Sequence, residues 1–171
     1  MKQIWIFDST PLIYLGKVRI LEKLKEMKSD NIIPYSVFIE VVQKGKDNGI
    51  EDAFYIDKLI NQKVFRVVKV EEKERIKRLA ENPNLEPADI DVLSIAKKLN
   101  GKAIMDDEEA RTAADVENIG KGGSIYLLFK LLKSKTITKK ECREVVDNII
   151  YMGWRCSTEM YAYIIKELEK A

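Results

Sequence analysis

The sequence predicts an α/β protein: three α/β/α layers around a central parallel sheet of four or five strands, with extra helices at the C-terminal end. Three observations carry this prediction. Short, continuously apolar runs, beginning with Ile4-Trp5-Ile6-Phe7, alternate with segments of helical spacing. That alternation marks strands buried on both faces and joined by helical crossovers. Several of these runs end in polar turns suited to start a helix, and from about Gly122 onward only helical spacing remains.

The first run, Ile4 to Phe7, leads into Asp8-Ser9-Thr10-Pro11, a turn that can cap a helix with Pro11 in its first turn. Helical spacing continues through Leu12, Leu15, Ile20, Leu21 and Leu24. Asn31-Ile32-Ile33-Pro34 reads as the second strand, followed by a helix from Val37 to Gln43 with Ser36 as its N-cap and Gly45 closing it. Ala53, Ile56, Leu59 and Ile60 mark another helix, and the valine-rich stretch from Val64 to Val70 a third strand. A charged helix is expected from Glu71 to Ala80, interrupted by Pro83. Pro87 opens the next helix, which runs to about Leu99 and ends at Asn100-Gly101. Lys102-Ala103-Ile104-Met105 is the fourth strand, a helix spans Glu108 to Val116, and Ile119 marks a very short fifth strand. Gly120-Lys121-Gly122-Gly123-Ser124 lacks the glycine and lysine spacing of a phosphate loop and reads as a turn. Three helices finish the chain: Ser124 to Leu132, one opened by Thr138 with Glu141 completing a capping box, and Ser157 to Lys170.

Length and composition narrow the functional classes. The 171 residues, 46% hydrophobic and 34% charged, read as a single domain, with an α/β core over about 1–120 and a helical extension over about 121–171. No apolar run approaches the roughly 20 residues of a membrane helix. Met1-Lys2-Gln3 leads into only four apolar residues, too few for a secretory signal, so a cytoplasmic location is expected. Lys plus Arg is 30 and Asp plus Glu is 28, a net +2 that excludes a global basic field but leaves room for local patches. The dominance of Lys, Glu and Ile resembles thermophile composition. Cys142 and Cys156 lack metal-ligand spacing and read as reduced thiols, with a bond between them open only in a hyperthermophile context. The chain has no histidine, which excludes a Ser-His-Asp triad, a Cys-His pair and any His-bearing zinc site. Carboxylate chemistry remains, with or without a metal.

The carboxylates fall where an open parallel sheet gathers functional groups, just beyond the C-terminal ends of its strands. Asp8 follows the first strand, and Asp106-Asp107 follow the fourth. Glu40, four residues after Ser36, can point back to the same end. Each has a plain reading too: Asp8 as a helix cap, Glu40 as an exposed helix charge. In the helix after Pro87, Val92, Leu93, Ala96 and Leu99 define an apolar stripe that includes Asp89, while Asp91 falls about 100° to the side. The helix dipole contributes only about 0.3–1 kcal/mol to a first-turn acid, little against the cost of burying an unpaired charge. A cation shared with other carboxylates would neutralise Asp89.

Four segments in order carry a resemblance to a known family. They are Ile4 to Ile13, Ile33 to Val41, Leu85 to Ala96 with its Glu86-Pro87-Ala88-Asp89-Ile90-Asp91, and Ala103 to Arg111 with Asp106-Asp107. Over roughly residues 2–120 the chain resembles a PIN domain, the metal-dependent ribonuclease fold of VapC-like toxins in toxin–antitoxin pairs. The tail, with Gly153-Trp154-Arg155-Cys156-Ser157, is similar to an uncharacterised prokaryotic branch of PIN-like proteins. The resemblance implies a nuclease core over about 1–120. It places the four catalytic and metal-holding acids at Asp8, Glu40, Asp89 and Asp107, with Asp91 and Asp106 second. Ser9 or Thr10 would occupy the hydroxyl position that supports the first acid. The branch often carries Glu-x-Glu where this chain has Asp89-Ile90-Asp91, side chains one methylene shorter.

The implied chemistry is hydrolysis of RNA phosphodiester bonds. Converging carboxylates raise one another's pKa, and Mg²⁺ or Mn²⁺, hard ions suited to oxygen ligands, removes that penalty. Single-stranded or looped RNA is the expected substrate, since its bases can splay and stack. Lys97, Lys98, Lys102 and Arg111 are candidate phosphate contacts. The Lys130, Lys133, Lys135, Lys139, Lys140 cluster reads as a solvated face, and Tyr126, Tyr151, Trp154, Tyr161 and Tyr163 as core or subunit packing before base stacking. An antitoxin protein and self-association are the expected protein partners. Two other readings stay open: a catalytically weak PIN-like protein-binding module, opposed by the retention of all four acids and mildly favoured by the Asp-for-Glu changes, and, more weakly, a phosphotransfer domain. The latter lacks the second aspartate two residues after Asp8, where Thr10 stands.

Overall fold

A computed structural model describes residues 2–171; Met1, part of the stretch read against a secretory signal, lies outside them. Five parallel strands form one sheet: β1 Gln3–Phe7, β2 Ser29–Pro34, β3 Arg66–Val68, β4 Lys102–Ile104 and β5 Gly120–Gly122, in the spatial order β3-β2-β1-β4-β5. Every neighbouring pair is parallel. The central strand β1 buries Trp5, Ile6 and Phe7 almost completely, as a strand covered on both faces requires. Phe7 meets Phe65 edge to face at 5.1 Å between ring centres.

Among the described residues, ten α-helices connect and flank the strands: α1 Ser9–Lys17, α2 Tyr35–Phe38, α3 Lys44–Asp47, α4 Glu51–Asn61, α5 Lys77–Ala80, α6 Pro87–Lys98, α7 Glu108–Val116, α8 Ser124–Lys133, α9 Lys139–Tyr151 and α10 Thr158–Lys170, with a 3₁₀ helix, Ile20–Glu26, after α1. Buried apolar residues form one continuous cluster from Trp5 to Leu168, so the C-terminal helices share the core of the sheet. The capping box at Thr138 is present, and Ser157 caps α10 by accepting from the Met160 backbone N–H. Both cysteines are free thiols, and burial pushes that of Cys142 up to about 11. No helix among the described residues is long and apolar enough to cross a membrane.

Several sequence expectations need correction. The helix after β2 begins at Tyr35, directly behind Pro34, and Ser36 caps nothing; its hydroxyl donates to Asp91 at 2.8 Å. That helix does not end near Gln43 but passes through a π-helical stretch, Ile39–Gln43, into α3. Gly45 lies inside α3 rather than closing a helix: a Cβ there would sit 2.6 Å from the Cβ of Ala53, so glycine is what lets α3 and α4 touch. The third strand is shorter than its valines suggested, because its partner β2 stops pairing at Pro34, opposite Val68. The expected helix from Glu71 to Ala80 splits into a 3₁₀ turn, Glu72–Glu74, and α5, with Arg75 extended between them. The glycine stretch after Ile119 is not a turn but the edge strand β5, held by pairing with β4 rather than by apolar side chains.

Candidate active site

The strand order makes β1 the point where the chain switches from one side of the sheet to the other, between β2 and β4. Open α/β sheets form their functional crevice at such a switch, beyond the strand C-termini. Asp8 stands there, its backbone N–H donating to Ile104 O at 2.9 Å across the β1–β4 seam. It occupies the N-cap position of α1 with extended backbone, yet its side chain makes no cap bond, so the helix-cap reading does not account for it. It is 5% exposed, and no protein cation pairs with it among the described residues. Burial, and next the Asp89 charge, push its pKa up to about 7, with Glu40 and Asp106 adding to the rise against a backbone hydrogen bond from Ser9.

The other acids reach the same end by different routes. Glu40 sits on the π-helical stretch, exposed, and accepts a hydrogen bond from Ser9 Oγ at 3.0 Å. The π turn sets the rotation of this segment, and nothing in the apolar spacing announces it. Asp89 lies in the first turn of α6, where its carboxylate closes a capping box by accepting from the Glu86 N–H at 2.8 Å. Burial raises its pKa, and Asp107, Glu86 and Glu40 raise it further. Asp107 is the N-cap of α7, accepting from Ala110 N at 2.9 Å, and it is exposed. The structure therefore brings Asp8, Glu40, Asp89 and Asp107 within electrostatic reach of one another and adds Glu86, which the sequence reading left out.

Two acids ranked second are engaged elsewhere. The buried carboxylate of α6 is Asp91, 3% exposed, not Asp89. It accepts from Arg75 at 2.6 and 3.1 Å and from Ser36 Oγ at 2.8 Å. The apolar-stripe argument fails because α6 is buried from Ile90 to Ala96 without a break, so its phase does not separate an inner from an outer face there. Asp106 accepts from Ser124 N at 2.7 Å, Ser124 Oγ at 2.6 Å and the indole Nε1 of Trp154 at 2.9 Å. It joins β4 to the C-terminal helices. Glycine is needed beside it, since a Cβ on Gly123 would stand 2.5 Å from its Oδ1.

Of the four candidate phosphate contacts, only Arg111 lies at this end, donating to Met105 O at 3.1 Å. Lys97 is eight residues along α6 from Asp89, about 12 Å away along the helix axis. It pairs with Glu117 at 2.6 Å, and the adjacent Lys98 with Glu74. Lys102 starts β4, at the strand's N-terminal end, and donates to Lys121 O. A groove of about 1680 Å³ reaches Thr10 and Asp107, the one of the four acids that lines it, and runs between α8 and α10.

The donor set suits a hard divalent cation: oxygen atoms only, around a buried carboxylate without a protein counter-charge. Among the described residues, no three acidic or thiol side chains are drawn close enough to hold one ion as they stand. Glu40 and Asp107 are exposed, each held by one hydrogen bond, from Ser9 Oγ and from the Ala110 N–H.

A solved domain of a functionally unknown protein from Methanocaldococcus jannaschii DSM 2661 is similar over 71% of this chain and 90% of that domain, at 17% identity and a TM-score of 0.49. No curated protein matches the chain. The family model DUF3368, described as a PIN domain, matches residues 4–170, spanning both the core and the helical extension. The chain thus belongs to the DUF3368 family of PIN domains, a nuclease-type fold.

Proposed function

We propose that this chain is a metal-dependent endoribonuclease that hydrolyses RNA phosphodiester bonds, with Asp8, Glu40, Asp89 and Asp107 holding Mg²⁺ or Mn²⁺. The observation that carries the reading is the buried Asp8, which has no protein cation and faces other carboxylates. A divalent cation, when bound, neutralises that charge, polarises the phosphodiester and acidifies water. The chain's own residues supply the setting. Ser9 Oγ holds Glu40 toward the site, Glu86 N–H holds Asp89, and the Ala110 N–H holds Asp107. The β1–β4 seam holds the Asp8 backbone rigidly. A toxin role with a partner antitoxin follows from the VapC-like resemblance, and a short neighbouring reading frame for a DNA-binding protein would support it.

The test is cleavage of a mixed single-stranded RNA pool with Mn²⁺ or Mg²⁺. Cleavage that EDTA and Asp8→Asn both remove is expected. No cleavage with either ion, or full activity in Asp8→Asn, refutes the reading. The acids are not closed on one another, and this favours a second reading, a catalytically weak PIN-like module that binds protein.

A further inference from the structure

We infer that the groove between α8 and α10 is a track for single-stranded RNA that ends at Asp107, one of the candidate acids. The inference rests on the nuclease reading and specifies how its substrate arrives. The groove's unpaired charges set its polarity. Among the described residues, Lys133, Lys135 and Arg155 line it without an acidic partner. Arg111, at the acid end, is bound only to a carbonyl. Two of its side-chain carboxylates are engaged: Glu167 pairs with Lys170, and Asp106, next to Asp107, accepts three protein hydrogen bonds. Among the described residues, side-chain carboxylates without a cation line it at the mouth, with Asp107 and Glu108. A polyanion is therefore attracted along the groove's length and meets the acids only where an ion would screen them.

The walls supply the second half of the recognition. Tyr163 is 55% exposed on α10, and Tyr126 and Phe129 on α8 are half-buried, all facing the groove. Lys102 and Lys130 stand over the Tyr126 ring at 4.8 and 5.4 Å from its centre and add positive charge at the α8 wall. An exposed ring at Tyr163, with partly exposed rings opposite and free cations between, suits unstacked bases on a phosphate backbone, where each stacked base contributes about 1–3 kcal/mol. A duplex buries its bases and would leave the rings unused. Of the lysine cluster and aromatic set expected on a solvated face and in packing, Lys133, Lys135, Lys139, Tyr126, Trp154 and Tyr163 line this groove, while Lys140, Tyr151 and Tyr161 do not.

The experiment is fluorescence anisotropy of the full chain with a labelled oligouridine of about 12 nucleotides in EDTA, so that no cleavage intervenes. Lys133→Glu/Lys135→Glu/Arg155→Glu should weaken binding by more than about tenfold and flatten the log K against log[salt] slope by about 2, near 0.7 per cation. Lys28→Glu/Lys58→Glu/Lys63→Glu, with the same charge change at exposed sites off the groove, should weaken it far less. Tyr163→Ala should cost at least about fivefold without altering the slope. Circular dichroism confirms that each variant folds. Equal losses in both triple variants, or no binding by the parent chain, overturn the inference. So does light scattering that shows a parent dimer which the groove variant dissolves, because a second copy is then the occupant. Cleavage is read separately with Mn²⁺: groove-dependent binding without any cleavage refutes the nuclease reading alone. Cleavage with an unchanged KM in the groove variant refutes the track alone.

Discussion

Asp89 and Asp91 are two residues apart on α6, and substitution to Asn should affect them in opposite ways. Asp91 is buried and holds Arg75 through two contacts, with Ser36 donating to one of the same oxygens. An amide has one acceptor oxygen, so whichever way the substituted side chain turns, one Arg75 contact becomes donor against donor. A hydrogen bond to a charged group contributes about 1.5–3 kcal/mol, and partial exposure of the Arg75 side chain, 36%, pulls this toward the lower half. We expect Asp91→Asn to lose about 2 kcal/mol, which for a domain of this size lowers Tm by about 4–8 °C. Asp89→Asn keeps an acceptor for the Glu86 N–H and relieves repulsion among Asp8, Asp107, Glu86 and Glu40. The metal-free chain should therefore be no less stable, while cleavage is lost. Urea and thermal unfolding of the two variants, run beside the RNA assay, settle the matter. Asp91→Asn within about 0.5 kcal/mol of the parent, or Asp89→Asn the more destabilised of the two, would refute the division between a structural and a functional acid.

Four further outcomes are expected. Asp8 titrates near 7 in the folded chain against an ordinary 3.8, so the folded state binds the extra proton between those values and stability falls as pH rises through that window. The metal-free chain should thus unfold at lower urea at about pH 8 than at about pH 6, and Asp8→Asn should flatten the difference. Mn²⁺ should raise Tm by mass action, about 2.7 kcal/mol of added stability at a hundred times Kd, and not in Asp8→Asn. Glu117, whose carboxylate Lys97 and Arg78 hold below the usual range, stabilises above the ordinary glutamate pKa and loses this as pH falls. Acid unfolding of Glu117→Gln should lack that component. Trp154→Phe removes the indole bond to Asp106 and should lower Tm by about 2–4 °C, with α10 becoming the first site of limited proteolysis.

Local rules were enough for the layers of this protein. Apolar runs such as Ile4 to Phe7 and Lys102 to Met105, caps at Thr138 and Ser157, and Pro87 at a helix start act within a few residues, so each can be read from the chain. For the same reason the position of Asp8 and Asp107 beyond strand ends is legible in the sequence. What acts across the sheet was not legible. The edge strand at Gly120–Gly122 exists because β4 offers it hydrogen bonds, and the third strand is short because β2 turns at Pro34. The π turn under Glu40 carries no apolar signature. The partners of Asp91 and Asp106 lie 16 to 55 and 18 to 48 residues away, respectively. Helical periodicity reports only whether one face is buried. α6 is buried without a break from Ile90 to Ala96, so the choice between Asp89 and Asp91 fell to Arg75 and Ser36, whose positions the tertiary fold alone determines.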